Sequence, residues 1–102
     1  MEKTTTLPKL THLQYLVLGH INRPGLPETS GKSLRQLLND CGIGKTIPAF
    51  YQLMARLEES GYVVGEYHKV QSGNQVYRER HYWLTDQGVR EAENSRIFYN
   101  ST

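Results

Sequence analysis

A single cysteine stands among the 102 residues, so no internal disulfide can form and the small secreted disulfide scaffolds are excluded. No stretch approaches the roughly 20 consecutive apolar residues of a membrane-spanning helix. The opening MEKTTT is polar, unlike a secretory signal, and a cytoplasmic chain with no membrane partner is expected. Neither sign of charge dominates: 12 Lys+Arg oppose 10 Asp+Glu, for a net charge of +2. Nucleic acid cannot be bound by bulk charge alone at that balance, so any such binding must come from placement. Metal and enzyme signatures are also missing. His12 and His20 lie eight residues apart with no third ligand near them in sequence. Gly44-Lys45-Thr46 imitates the end of a phosphate loop, but Asn39 stands where its first glycine is required. His68 and His81, with Glu66 and Glu79 close in sequence, have no second layer to build a pocket. No catalytic residue, metal or cofactor is expected.

What is present suits one modest core: 37% apolar and 22% charged residues in a length that allows one domain. The most organised stretch runs from Ser30 to Gly61. Leu34, Leu37, Leu38 and Cys41 recur at i, i+3, i+4, i+7, and Ile47, Phe50, Leu53, Met54 and Leu57 form a second stripe. Ser30 or Gly31 can cap the first of these helices. Gly42 and Gly44 interrupt between them, Thr46 offers the next cap, and Pro48 falls early, where a missing N–H costs little. Cys41 is expected in the core. Two amphipathic helices on so short a turn must cross steeply, as in a helix-turn-helix. At 100° per residue, Lys45, Pro48, Tyr51, Gln52, Ala55, Arg56 and Glu59 fall on the outward side or its flanks. Alone, such groups would be read as a solvated face. At a helix start they can also bond phosphates or base edges.

Before this stretch, residues 1–9 are expected to be a loosely ordered tail. Thr11 and Gln14 form a capping box for a helix with Leu10, Leu13, Leu16, Val17 and Ile21 on its apolar face. Asn22 to Thr29, with two prolines and a glycine, reads as a loop. After Gly61 the period drops to two. YVVGEYHKV and QVYRERHYWL, joined by Gln71-Ser72-Gly73-Asn74, make a hairpin. Arg78, Arg80, Tyr82 and Leu84 share one face of the second strand, which puts cations toward the tip and apolar groups at the base. Thr85 caps a last helix that is too polar for a core element and suits an arm. The fold class is therefore α+β, a winged helix-turn-helix of three helices, a hairpin wing and one short C-terminal helix. The second helix of the pair can enter a DNA major groove while the wing follows the backbone.

FYQLMARLEESGYV (Phe50 to Val63) followed by RERHYWLTDQG (Arg78 to Gly88) resembles the PadR family of bacterial and archaeal transcriptional regulators. Tyr51, Arg56, Leu57, Glu58, Gly61, Arg80, Tyr82, Leu84, Thr85 and Gly88 match its motif, and HLQYLVLGHI is similar to its first helix. The likeness covers about residues 10–90. Gly31-Lys32 departs from the Gly-Tyr usual in the family.

The resemblance implies a homodimer on two-fold-related double-stranded DNA, joined through C-terminal helices. The chain accordingly divides into the tail, a DNA-binding domain at 10–88 and a dimerisation helix at 89–102. Contacts to DNA are expected from Lys45, Thr46, Pro48, Ala49, Tyr51, Gln52 and Arg56. The wing should add Lys69, Gln71, Ser72, Asn74, Gln75, Arg78 and Arg80. Ile97, Phe98 and Tyr99, helped by Leu13 and Val17, are the expected dimer contacts. Trp83 and Tyr99 offer rings on which a small aromatic effector could stack, although packing is the commoner use of such rings. The competing function is a winged-helix module that binds protein and not DNA.

Overall fold

The computed structural model describes residues 9–22 and 29–100. Within them, four helices each begin at a hydroxyl. Thr11 Oγ1 accepts from Gln14 N at 3.1 Å and starts α1 (His12–Ile21), with Gln14 reaching back to complete the box. Ser30 Oγ accepts from Ser33 N at 3.1 Å and starts α2 (Gly31–Asp40). Thr46 Oγ1 accepts from Ala49 N at 3.2 Å and starts α3 (Ile47–Glu59), where Pro48 sits in the first turn. Thr85 Oγ1 accepts from Gly88 N at 3.0 Å and starts α4 (Asp86–Tyr99). Each cap satisfies a backbone donor that the helix itself leaves unpaired.

The two helices of the helix-turn-helix also stop in one way. Gly42 (φ 76°) and Gly61 (φ 82°) take the left-handed conformation that favours glycine. Beyond them, Ile43 N donates to Leu38 O at 2.9 Å and Tyr62 N to Leu57 O at 3.0 Å, closing the last turns of α2 and α3.

Three strands make an antiparallel sheet in the order β1-β3-β2. β2 (Val63–Ser72) and β3 (Gln75–Leu84) pair along their whole lengths, from Val63 opposite Leu84 to Ser72 opposite Gln75. Gly73 takes φ 61° and no non-glycine residue among the described residues has positive φ, so Gly73-Asn74 forms the two-residue turn that fits the twist of a hairpin. β1 (Thr29–Ser30) adds two residues against Tyr82 and His81. The sequence reading made Thr29 part of a loop; a two-residue strand is too short to show periodicity. Residues 23–28 of that loop, and residues 1–8 of the expected tail, lie outside the described residues.

The core gathers Leu10 just before α1, Val17, Leu18 and Ile21 from α1, Leu34 and Leu38 from α2, and Phe50, Met54 and Leu57 from α3. Tyr62, Val63, Tyr82 and Ala92 complete it. Several expectations need correction. Cys41 is exposed: α2 ends at Asp40, so the apolar stripe runs off the helix at its C-cap. Ile47 is 56% exposed, because the first turn of α3 projects past the core its later turns cover. Leu37 and Leu53 are half-buried. α4 is no free arm. It packs on α1, with Gly88, Ala92 and Ser95 buried on α4 and the Tyr99 ring set against His12 and Tyr15. The expected boundary at residue 88 therefore falls inside a helix packed on α1.

Candidate nucleic-acid interface

The outward side of α3 begins at the turn before it. Lys45, Thr46, Ile47 and Pro48 are all exposed, as are Gln52 and Arg56 one and two turns on. Thr46 already uses its Oγ1 to cap the helix, which leaves its O–H as a donor. Ala49 and Tyr51 are half-buried. The Tyr51 ring meets Phe50 edge-on at 5.2 Å and packs against the core, so mainly its rim is available outside. The sequence reading missed Ile43 and Ile47. At 39% and 56% exposure, they give the entry of α3 an apolar component among polar groups. Periodicity had assigned Ile47 to the core, and Ile43 carried no periodic signal.

On the wing, Lys69, Gln71, Ser72, Asn74, Gln75 and Arg78 are exposed. Arg80 is not placed like them. It donates to Glu58 Oε1 at 2.8 Å, with its side chain 21% exposed and that of Glu58 27%. Above all that hydrogen bond holds its pKa above the ordinary arginine value, against the opposing effect of burial. Its guanidinium carbon lies 4.7 Å from the Tyr67 ring centroid, and that of Arg78 lies 4.5 Å from the same ring. Glu58 and Tyr67 are the two members of this cluster that the candidate contacts omitted. Glu58 was named in the motif, but its partner stands 22 residues away and is invisible to local pattern.

The base of the wing is tied to α2 as well. Glu79 Oε1 accepts from Lys32 N at 2.9 Å, a carboxylate at a helix N-terminus where its charge is favoured. His68 and His81 stack at 4.3 Å between ring centroids, and His68 Nε2 lies 3.2 Å from Glu66 Oε1. Among the described residues no group of three or more His, Cys, Asp or Glu side chains is arranged to hold a metal ion. No helix among them is long and apolar enough to cross a membrane.

Of the expected dimer contacts, Val17 is fully buried in the protein's own core and offers no surface, because it lies on the side of α1 that faces α4 and the sheet. Leu13 is half-buried against the same core. Ile97 is 59% exposed. Phe98 and Tyr99 are half-buried. Tyr99 stacks on His12 and Tyr15 at 4.9 and 5.4 Å and donates its hydroxyl to Leu10 O at 3.0 Å.

These elements make a winged helix-turn-helix: a helix pair with an open outward face, followed directly by a long two-stranded wing. Three solved structures share the arrangement. A PadR-family transcriptional regulator from Eggerthella lenta is 26% identical, with TM-score 0.64 over 85% of this chain and 70% of that one. A PadR-like transcription factor from Bacteroides fragilis is 16% identical, with TM-score 0.64 over 85% and 79%. The protein TA0346 of Thermoplasma acidophilum is 19% identical, with TM-score 0.59 over 85% and 77%. No family model and no curated protein sequence matches. The chain thus has the winged-helix fold of these PadR-like regulators.

Proposed function

We propose that the chain is a sequence-specific DNA-binding transcriptional regulator, in which α3 enters the major groove and the wing follows the neighbouring backbone. The observation that carries this reading is the open face of α3. With Phe50, Met54 and Leu57 buried on its inner side, α3 leaves Ile47, Gln52 and Arg56 exposed outward, next to the exposed Lys45 and Thr46 of the preceding turn. The exposed Arg78 extends the surface along the wing. Similarity to the Eggerthella lenta regulator supports it. A major groove admits a helix of this size, and one such module buries only enough surface for modest specificity. The regulator therefore acts as a homodimer on half-sites about one helical turn apart, about 10–10.5 bp, and represses by occupying them.

Ile97 on α4 and the outer side of Leu13 on α1 carry the dimer contact, flanked by Phe98. A small aromatic effector would stack on Trp83 or Tyr99, and the protein works in the cytoplasm. The division into a DNA-binding part up to residue 88 and a dimerising part beyond it is functional rather than structural, since α4 spans both. Gel retardation of genomic fragments at two salt concentrations tests the central claim: retention of specific fragments at the higher salt is expected. A chain that retards none at either concentration is instead a protein-binding winged helix. Sedimentation equilibrium of the parent and of Ile97→Asp tests the dimer, with association expected only in the parent.

A further inference from the structure

We propose that Arg80 is a positioning residue: through Glu58 it locks the wing to the recognition helix, and across Tyr67 it holds Arg78 in place to meet a DNA phosphate. This rests on the DNA-binding reading above. Four observations converge on it. Glu58 lies in the last turn of α3, where the helix dipole disfavours a carboxylate. A cation must offset that, and Arg80 does so at 2.8 Å in a largely shielded position. Gly65 leaves the space for it. A Cβ there would come within 2.7 Å of Arg80 Nε, 2.9 Å of Nη2 and 3.0 Å of Cζ, so the guanidinium lies where a side chain would otherwise be. Tyr67 stands directly across from Arg80 in the register, and both guanidinium groups lie against its ring. Finally, Arg78 is exposed, and no ion pair with a carboxylate occupies it among the described residues.

The division of labour follows from the chemistry. A guanidinium that already donates to a carboxylate has part of its charge neutralised and part of its fork occupied, which makes it a poor phosphate ligand. Arg78 keeps its donors. It is restrained by the ring, and the ring by Arg80. Lys69 stands opposite Arg78 on the same face, so three cations share this part of the wing. Without Glu58, repulsion among them would drive Arg80 off the ring and loosen Arg78.

The sign of one substitution separates this from a direct phosphate contact by Arg80. Glu58→Gln removes a negative charge near DNA, which on simple electrostatics should tighten binding. Positioning requires that it weaken binding. The probes are a labelled duplex selected by the parent protein from a random pool and a scrambled duplex of the same composition. Both are read by fluorescence anisotropy between about 50 and 200 mM salt. Glu58→Gln is expected to lose about tenfold on the selected duplex and to add nothing in an Arg78→Ala background, the mark of coupled residues. Arg78→Ala is expected to lower the salt slope by about one.

Tyr67→Leu, at a half-exposed site that the fold tolerates, removes the ring with no change of charge and should weaken the selected duplex in the same Arg78-dependent way. The proposal falls if Glu58→Gln binds tighter, if its loss persists without Arg78, or if Tyr67→Leu binds as the parent does. A parent protein that binds neither duplex overturns the DNA-binding reading itself, and this proposal with it.

Discussion

The backbone of α4 lies tight against that of Tyr62 at Gly88. A Cβ added there would lie 2.0 Å from Tyr62 O and 2.9 Å from Tyr62 C, both backbone atoms that no rotamer change can move. That is more than an ångström short of ordinary contact. Gly88→Ala must therefore lift the first turn of α4 or displace the chain at Tyr62. The same Tyr62 carbonyl accepts from Thr85 N at 3.0 Å, and Thr85 Oγ1 donates to Gly61 O. Overpacking of this kind costs about 1–3 kcal/mol, and the strained hydrogen bonds add about 1 kcal/mol. A total of about 3 kcal/mol corresponds to a fall in Tm of about 12–24 °C in a domain of this size.

Gly19 supplies the control. It lies within α1, exposed, with nothing inside 4 Å of an added Cβ. Gly19→Ala should stabilise by about 0.5–1 kcal/mol through helix propensity alone. One chemical change thus has opposite signs at two sites. Thermal melts by far-UV circular dichroism, at low protein concentration, read both. A Gly88→Ala protein melting within about 3 °C of the parent, less than the shift from 1 kcal/mol, would refute the close approach of α4 to Tyr62.

Further outcomes follow from burial and exposure. Leu57→Ala, in the core, should cost about 2–5 kcal/mol, whereas Gln52→Ala on the open side of α3 should change stability by no more than about 0.5 kcal/mol and weaken DNA binding; chemical denaturation and anisotropy measure the two. Ile47 offers an apolar contact for a thymine methyl, so replacing thymines of the selected duplex by deoxyuridines should weaken the parent by about fourfold per contacted methyl, the worth of about 0.8 kcal/mol, and leave Ile47→Ala unaffected. The Tyr82 hydroxyl is buried without a hydrogen-bond partner, and burial raises its pKa well above 10.0. The folded state therefore keeps the phenolic proton that the unfolded chain loses, and stability falls as pH rises above about 10. Tyr82→Phe should be nearly neutral at pH 7 and should flatten that alkaline decline in urea midpoints.

Much of the architecture was legible because it is written in local chemistry. The four caps, the glycine stop of α2 and the Gly73-Asn74 turn each depend on residues a few positions apart. Periodicity was sufficient for the inner side of α3 once the helix was under way at Phe50. It failed at the ends of helices, where Ile47 and Cys41 continue a stripe past the edge of the core. It failed again for α4, whose buried residues are Gly88, Ala92 and Ser95, and a count of apolar side chains cannot see a buried face made of small ones. Arg80 looked like a free wing cation because its two partners lie on other elements, Glu58 at the end of α3 and Tyr67 across the hairpin. Only register and packing reveal that it is already engaged.

The hairpin also has a bearing on colloidal behaviour. β1 covers β3 only at Tyr82 and His81, so the outer part of β3 and the whole free side of β2 have no strand neighbour among the described residues. Such rims invite another chain to add itself as a further strand. Here Glu66, Lys69, Arg78 and Glu79 interrupt Val64, Val70, Val76 and Tyr77, and a growing ribbon would have to bring like charges into line with one another. The wing's composition thus resists self-templating as well as suiting the DNA contact proposed above. Exchanging Glu66 and Lys69 for valine would relax that resistance, and turbidity on storage would rise before any effect on the fold.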